Sequence, residues 1–482
     1  MKDISDQEVE EHLKRRNRWW AGQASVVDAA TQRMAPRAYL GAVHALLTNP
    51  ALRRAVVLLG PRRVGKTVLI QHLISRLLAG GVAPSHIGYV EVDHPLLHGQ
   101  SLDSLVRRIE AAGGAAGDGP YYLFFDEIQY LKDWERHLKS LVDHRPDLRI
   151  LVSGSAAAAL KRKSTESGAG RFTDFLLPAL TFSEFLSLGT DKPGIRETSP
   201  GVYMLEDIRR LNEQFVDYVN YGGYPELALS QELRGDPQRF VKSDIVDKVL
   251  LRDLPQLYGI QDIQELNALF TLLAYNTGEE VSLEALSQRS GVSKTTISRY
   301  IEYLEAAFLL QRVFRVDQSG KRYQRERAFK IYLTNPAMRT GLFGPMTPDD
   351  AGFGHLVETT LFAQRFHEDV RLNYARWGSD DCEVDLIECN AALKPSLAIE
   401  IKWSDRFIDR PGDLSGPLRF AHASGLHEAW ITTRSRFARA EHDGVHLRFW
   451  PAAVLAFHFG VRAVSGRLSS FDARINGVSN DA

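Results

Sequence analysis

At 482 residues the chain is too long for one ordinary hydrophobic core, so two to four domains are expected. Hydrophobic residues make up 44% and charged residues 25%, with no run long enough to span a bilayer and no apolar stretch behind a basic start, which excludes a membrane-spanning protein and points to the cytoplasm. A net charge of −1 excludes a globally basic nucleic-acid binder, and the two cysteines, Cys382 and Cys389, are too few for a disulfide framework or a thiolate zinc site. Any metal chemistry must therefore use carboxylates.

In chain order, residues 1–35 open with a charged, helix-prone segment ending in Trp19 and Trp20, read as an amphipathic lead-in that docks its aromatic side chains on the next domain. Residues 36–195 alternate apolar strand-like runs (AVVLLG, GYVEVD, YYLFFDE, RILVSGS) with amphipathic helical stretches, which predicts a parallel sheet with crossover helices. Residues 196–277 read as helical, broken by the turn YGGYPE, and form an expected helical lid. Residues 278–340 give two short helical segments around Ser-Gly-Val-Ser and two strands separated by a basic loop, the pattern of a winged helix. Residues 341–464 form a second α/β unit, and residues 465–482, rich in Ser, Asn and Asp, read as a tail without fixed structure.

Gly60-Pro61-Arg62-Arg63-Val64-Gly65-Lys66-Thr67 matches the P-loop pattern, after an apolar strand and at the start of a helix. In that setting backbone N–H groups converge on phosphate oxygens, Lys66 reaches the β/γ phosphates of ATP, and Thr67 coordinates Mg²⁺. The strand YYLFFDE ends in Asp126 and Glu127, two acids that an apolar strand tolerates when they face a ligand at its C-terminal edge. Asp126 is the expected Mg²⁺ partner and Glu127 the residue that orients or deprotonates the attacking water. Ser153 and Ser155, at the end of RILVSGS, are candidates for sensing the γ-phosphate or simple helix caps.

GPRRVGKT, FFDEIQ, VSGS, GRFTDFLLPALTFSEFL, YGGYPE and VLLRDL together resemble, over nearly the whole chain, a group of prokaryotic AAA-type ATPases whose C-terminal part is an uncharacterised domain related to PD-(D/E)XK nucleases. The resemblance implies a role for the Gly170-Arg171 pair that precedes the Leu-Pro segment, with Arg171 reaching a γ-phosphate from a neighbouring subunit of a homo-oligomer and Arg252 as the runner-up.

SLEALSQRSGVSKTTISRYIEYLEAAFLL has a helix-turn-helix arrangement, with Gly291 at the turn and Ser293 as N-cap. Lys294, Thr295, Thr296, Ser298 and Arg299 fall on the first turns of its second helix, where they can contact DNA. Lys321, Arg322, Arg325, Arg327 and Lys330 form a basic wing suited to phosphate, although such a module also serves as simple packing.

In the C-terminal part, Asp385 lies in EVDLI, Glu400 and Lys402 lie in SLAIEIKW, and Glu358 lies on a preceding helix. The order helix Glu, strand Asp, strand Glu-x-Lys is similar to the PD-(D/E)XK nuclease core. Strand alternation points Glu400 and Lys402 to one face, where Asp385 can join them. Asp385 and Glu400, with a backbone carbonyl, can hold Mg²⁺ or Mn²⁺; Lys402 can position or activate the water that attacks a phosphodiester, and Glu358 supports the metal. Glu383 shares the face of Asp385 and is the alternative acid. The expected fold is thus α/β: an AAA-type P-loop core, a helical lid, a winged helix and a PD-(D/E)XK-like domain. The expected function is an ATPase that controls a nuclease acting on nucleic acid, chiefly DNA; the alternatives are a non-cleaving nucleic-acid-binding switch and a protein-remodelling ATPase.

Overall fold

The computed structural model describes residues 5–22, 31, 33–114, 119–154, 170–317, 328–366, 371–377, 382–466 and 475–476. The chain divides into two compact units, Met1–Pro178 and Ala179–Ala482.

In the first unit β1 (Ala55–Leu59), β2 (Ile87–Glu91), β3 (Tyr121–Asp126), β4 (Leu148–Gly154) and β5 (Phe172–Leu176) form a parallel sheet in the order β2-β3-β4-β1-β5. Every residue of β1 and β3 is buried, the reason both read as continuous apolar runs rather than alternating ones. The helices Lys66–Ala79, Leu102–Gly113 and Trp134–His144 connect β1 to β2, β2 to β3 and β3 to β4. In the second of these, Leu102, Leu105, Val106 and Ile109 form the buried stripe, and the Ser101 hydroxyl caps the start by accepting from the Ser104 N–H. Because all strands run the same way, their C-terminal ends share one edge, and the P-loop and the β3 acids meet there.

The lead-in helix Asp6–Arg16 starts in a capping box made by Ser5 and Glu8. Beyond it, the indole N–H groups of Trp19 and Trp20 each donate to the Ile87 carbonyl at 2.9 Å. The Asn17 amide exchanges two hydrogen bonds with the Tyr89 backbone, at 2.9 and 2.7 Å. These groups satisfy backbone atoms of β2, an edge strand that would otherwise be open for pairing.

The second unit corrects two expected boundaries. The core was expected to run to residue 195, yet the first unit closes at Pro178. The reason is packing: Leu180, Phe182, Phe185 and Leu186 join the core formed with Tyr218, Phe362 and Phe459, and the Phe182 N–H donates to Gln364 Oε1 at 2.9 Å. The segment expected to begin a helical lid opens instead with a hairpin, β6 (Ile195–Ser199) and β7 (Val202–Leu205), turning at Pro200-Gly201. Pro-Gly between two short β-prone runs is the turn signal that outweighs the helical reading. Helices follow from Ile208, including Ile208–Tyr221, and hydrogen bonding of the π-helical type runs through Arg239–Val246 and Val249–Asp253, where VLLRDL lies. The YGGYPE turn is a packing feature: Gly223 has φ +86, and a Cβ there would meet the Asn335 amide at 2.3 Å.

Strands β8 (Glu280–Ser282), β9 (Leu310–Val316), β10 (Ala328–Leu333), β11 (Arg371–Trp377), β12 (Cys382–Cys389), β13 (Pro395–Glu400), β14 (Glu428–Thr433), β15 (Ala438–His442) and β16 (Val445–Pro451) form a mixed sheet in the order β15-β16-β14-β13-β12-β11-β9-β10-β8. The expected border at residue 340 is therefore not a structural one. Strand β9 pairs in parallel with β11, Phe314 opposite Asn373 and Val316 opposite Ala375, so strands from both sides of that border share a single sheet. The helices Phe353–Ala363 and Ala452–Ser465 pack on it with most of their residues buried. β17 (Ile475–Asn476) pairs in parallel with β7. Among the described residues no helix is long and apolar enough to cross a membrane.

Candidate functional sites

In the first unit, β1 ends in the loop Gly60–Gly65 and the helix starts at Lys66 from Gly65, whose φ of +92 lies in the left-handed region. Gly60 is held against the segment after β5: a Cβ on it would lie 2.3 Å from the Leu177 carbonyl oxygen, and the Leu177 N–H donates to the Leu59 carbonyl at 2.8 Å. Pro61 and Arg62 are half-buried, Arg63 is exposed with φ +61, and Val64 is buried. Lys66 is buried, and its Nζ donates to the carbonyls of Gly60 and Pro61 at 3.0 and 2.8 Å, so its ammonium lies inside the loop that would receive a phosphate.

Thr67 Oγ1 donates to Asp126 Oδ2 at 2.7 Å, Tyr89 OH donates to the same oxygen at 3.2 Å, and the Ser153 hydroxyl donates to Asp126 Oδ1. Ser153 also accepts from the Glu127 N–H at 3.2 Å, so it positions both acids. Burial and the neighbouring Glu127 charge raise the Asp126 pKa above the ordinary carboxylate value, against the lowering effect of Ser153, Thr67 and Lys66. A hydroxyl and a buried carboxylate already in contact, with more negative charge than the nearby lysine offsets, form a donor set that fits Mg²⁺. Glu127 takes a left-handed conformation, φ +58, and its Oε2 accepts from the Gln129 amide. A non-glycine residue in that conformation costs about 1–3 kcal/mol.

Arg37 is a site residue that sequence reasoning missed. It is buried, and its guanidinium donates to the Val64 carbonyl at 2.5 Å and the Pro178 carbonyl at 3.1 Å, tying the phosphate loop to the end of this unit. Arg171 stands elsewhere: its carbonyl accepts from the Ala55 N–H at the start of β1, the opposite end of the sheet from the P-loop, and its Nε donates to Asp143 at 3.0 Å. Five strand residues, about 17 Å, separate those ends. It cannot serve the P-loop of its own chain. Arg252 is an exposed residue of the second unit, and Gly170 adopts φ +82. Ser155 lies outside the described residues.

In the second unit Leu386 of β12 faces Ile399 of β13 in antiparallel register, which brings Asp385 beside Glu400. Lys402 Nζ lies 2.6 Å from Glu400 Oε1 and 3.8 Å from Asp385 Oδ2, and Asp385 Oδ2 accepts from the Ile401 N–H at 2.8 Å. The Thr432 hydroxyl accepts from the Lys402 N–H and donates to the Lys402 carbonyl, at 2.6 and 2.7 Å, fixing the backbone just past β13. Glu358, from the helix, accepts on Oε1 from Lys330 Nζ at 2.9 Å and from Tyr332 OH at 2.5 Å. The expected quartet is thus one cluster, and Glu383 stands at its border, 3.9 Å from Arg376.

Lys330 requires a correction. Expected in a basic wing suited to phosphate contact, it is 4% exposed, on β10, with its Nζ 2.5 Å from Glu383 Oε1 and 3.7 Å from Asp385 Oδ1. The signal was present in FKIYLTN: Lys330 and Tyr332 are two apart in an apolar strand, so they share a face, as do Glu400 and Lys402. Lys321, Arg322, Arg325 and Arg327 lie outside the described residues.

The charges sort by environment. Burial and then Asp385 push Glu400 up to about 8, against the opposing pull of Lys402. Burial and then Glu358 raise Asp385 as well. Burial alone would raise Glu358, but Lys330, His355 and Tyr332 hold it down at about 2. Lys402 loses solvation by burial, yet Asp385 and Glu400 raise its pKa, so it is an ammonium at neutral pH. Glu400 Oε2 is buried with no hydrogen-bond partner. Four carboxylates against two lysines, with one buried oxygen open, fit a divalent cation held by Asp385 and Glu400. Among the described residues no three acidic, histidine or cysteine side chains are grouped as ligands of one ion.

On the Lys294–Ala306 helix, the Ser293 hydroxyl accepts from the Thr296 N–H at 3.2 Å, while Ile297, Tyr300, Ile301 and Leu304 are buried. Lys294, Thr295 and Arg299 are exposed and Thr296 and Ser298 half-exposed; Lys294 is ion-paired with Glu284.

Residues 52–186 match the family described as the AAA domain, and residues 212–348 match a domain of unknown function. The first unit with its P-loop and β3 acids is therefore an AAA-type P-loop ATPase domain. An uncharacterized protein of Haemophilus influenzae is 23% identical over 402 residues, covering 81% of this chain and 92% of that one. An uncharacterized protein of Methanocaldococcus jannaschii is 24% identical over 259 residues, and the match spans 53% of this chain and 55% of that protein. A solved structure titled S. cerevisiae Hsp104:casein complex, Extended Conformation, overlaps 55% of this chain and 50% of that one at 15% identity, with a TM-score of 0.30.

Proposed function

We propose that the protein is an ATP-hydrolysing AAA-type enzyme of the cytoplasm whose second unit is a metal-dependent nuclease of the PD-(D/E)XK kind, cutting nucleic acid, chiefly DNA, under nucleotide control. The observation that carries the nuclease reading is the convergence of Asp385, Glu400 and Lys402 around a buried carboxylate oxygen with no partner. In the ATPase site, Lys66 would bind phosphate, Thr67 and Asp126 would hold Mg²⁺, and Glu127 would orient the attacking water. In the second site, Asp385 and Glu400 would hold Mg²⁺ or Mn²⁺, which when bound supplies an activated water and neutralises phosphate charge. Asp385 and Glu400 favour the charged form of Lys402. Its role is to orient that water and to stabilise the negative charge that develops on the phosphate.

The placement of Lys294, Thr295 and Arg299 on the outer side of a capped helix supports a winged-helix contact with DNA. Arg171, at the end of the sheet opposite the P-loop of its own chain, would serve a neighbour's nucleotide in a homo-oligomer. The test is cleavage of single- and double-stranded DNA and RNA in Mg²⁺ and Mn²⁺, with and without ATP. Cleavage lost in Asp385→Ala supports the nuclease, and its dependence on Lys66 supports nucleotide control. Intact ATP hydrolysis without any cleavage would leave a nucleic-acid-binding or protein-remodelling switch.

A further inference from the structure

Lys330 belongs to β10, yet its side chain reaches carboxylates on β12 and on the Phe353–Ala363 helix. Its Nζ lies 2.9 Å from Glu358 Oε1, 2.5 Å from Glu383 Oε1, 3.7 Å from Asp385 Oδ1 and 5.5 Å from the centroid of the Tyr374 ring. An ammonium has three protons and no acceptor, so Lys330 can address all three acids at once. Tyr332, two residues on, donates to the same Glu358 oxygen. Glu358 and Glu383 are thereby committed to a buried cation of the chain itself. Asp385 is shared: Oδ1 faces Lys330, and Oδ2 accepts from the Ile401 N–H at 2.8 Å. Within this cluster the buried oxygen left without a partner is Glu400 Oε2, on the side of Lys402.

We propose that Lys330 is a positioning residue that acts as a resident cation, withholding Glu358 and Glu383 from the divalent ion and leaving Asp385 and Glu400 to hold it. Glu358 is then the anchor of Lys330 rather than support for the metal. Lys330 sets the affinity of the site by standing beside Asp385: like charges repel, and a cation that cannot leave weakens the one that can. This inference rests on the metal-site reading above, and the two are separable by experiment.

The test is Mn²⁺ binding to the nucleotide-free full chain, followed by the electron paramagnetic resonance signal of free Mn²⁺, with Asp385→Ala defining the specific component. Lys330→Met is expected to bind the Asp385-dependent ion about tenfold more tightly, and Lys330→Arg to return the wild-type affinity. Because Lys330→Met strands buried carboxylates, the double variant Lys330→Met/Glu358→Gln, which removes one charge of each sign, is measured beside it, with circular dichroism melts to show that each is folded. Tightening in the double variant supports the proposal. An affinity within twofold of wild type, or a weaker one, in a folded variant overturns it while leaving the metal site standing. Absence of Asp385-dependent binding in every folded protein, wild type included, overturns both readings.

Discussion

Replacing Glu400 by Gln keeps the shape of the side chain and removes its titration. Burial and Asp385 raise this carboxyl from 4.5 to about 8. A folded-state pKa above the unfolded value means that the fold favours the protonated form. The associated stability is fully present below about pH 4.5 and is lost as pH rises through about 8. A shift of that size corresponds to a ceiling of about 5 kcal/mol. The ammonium of Lys402, 2.6 Å from Oε1, offsets part of the cost of ionisation. Between pH 5 and pH 9 in chelator, the wild type is expected to lose about 2–5 kcal/mol more than Glu400→Gln, read from urea unfolding. Mn²⁺ at pH 9 should return much of that loss to the wild type and little to the variant. Parallel pH profiles for the two proteins would falsify the assignment of Glu400 as a strained, open carboxylate.

Gly60→Ala would set a Cβ 2.3 Å from the Leu177 carbonyl oxygen and is expected to cost about 1–3 kcal/mol of overpacking, visible as a lower melting temperature of the first unit together with weaker binding of a fluorescent ATP analogue. Glu127→Gln should bind ATP as the wild type does and hydrolyse it at least about a hundredfold more slowly, since the group that orients the water is lost while Lys66 and Thr67 remain; steady-state phosphate release at unchanged affinity is the measurement. Arg37→Met should weaken ATP binding about tenfold without touching a phosphate, because the Val64 and Pro178 carbonyls lose their buried donor; wild-type affinity in isothermal titration would exclude that role.

The local chemistry was legible in the chain itself. Eight contiguous residues between an apolar strand and a helix define the phosphate loop, because its backbone N–H groups and its lysine act on one ligand from within one turn. Asp126 and Glu127 at the end of YYLFFDE, and Glu400 and Lys402 two residues apart, were readable because charges in an apolar strand require a reason and alternation says which share a face. Only the tertiary structure decided what lies beside them. Arg37 meets carbonyls 27 and 141 residues away, and a backbone carbonyl leaves no mark in a sequence. Lys330 read as one more basic residue in a loop until the pairing of β9 with β11 carried its strand into the C-terminal sheet. The same kind of packing set the border of the first unit at Pro178, because the rings of Phe182 and Phe185 pack against Tyr218 in the core of the second unit.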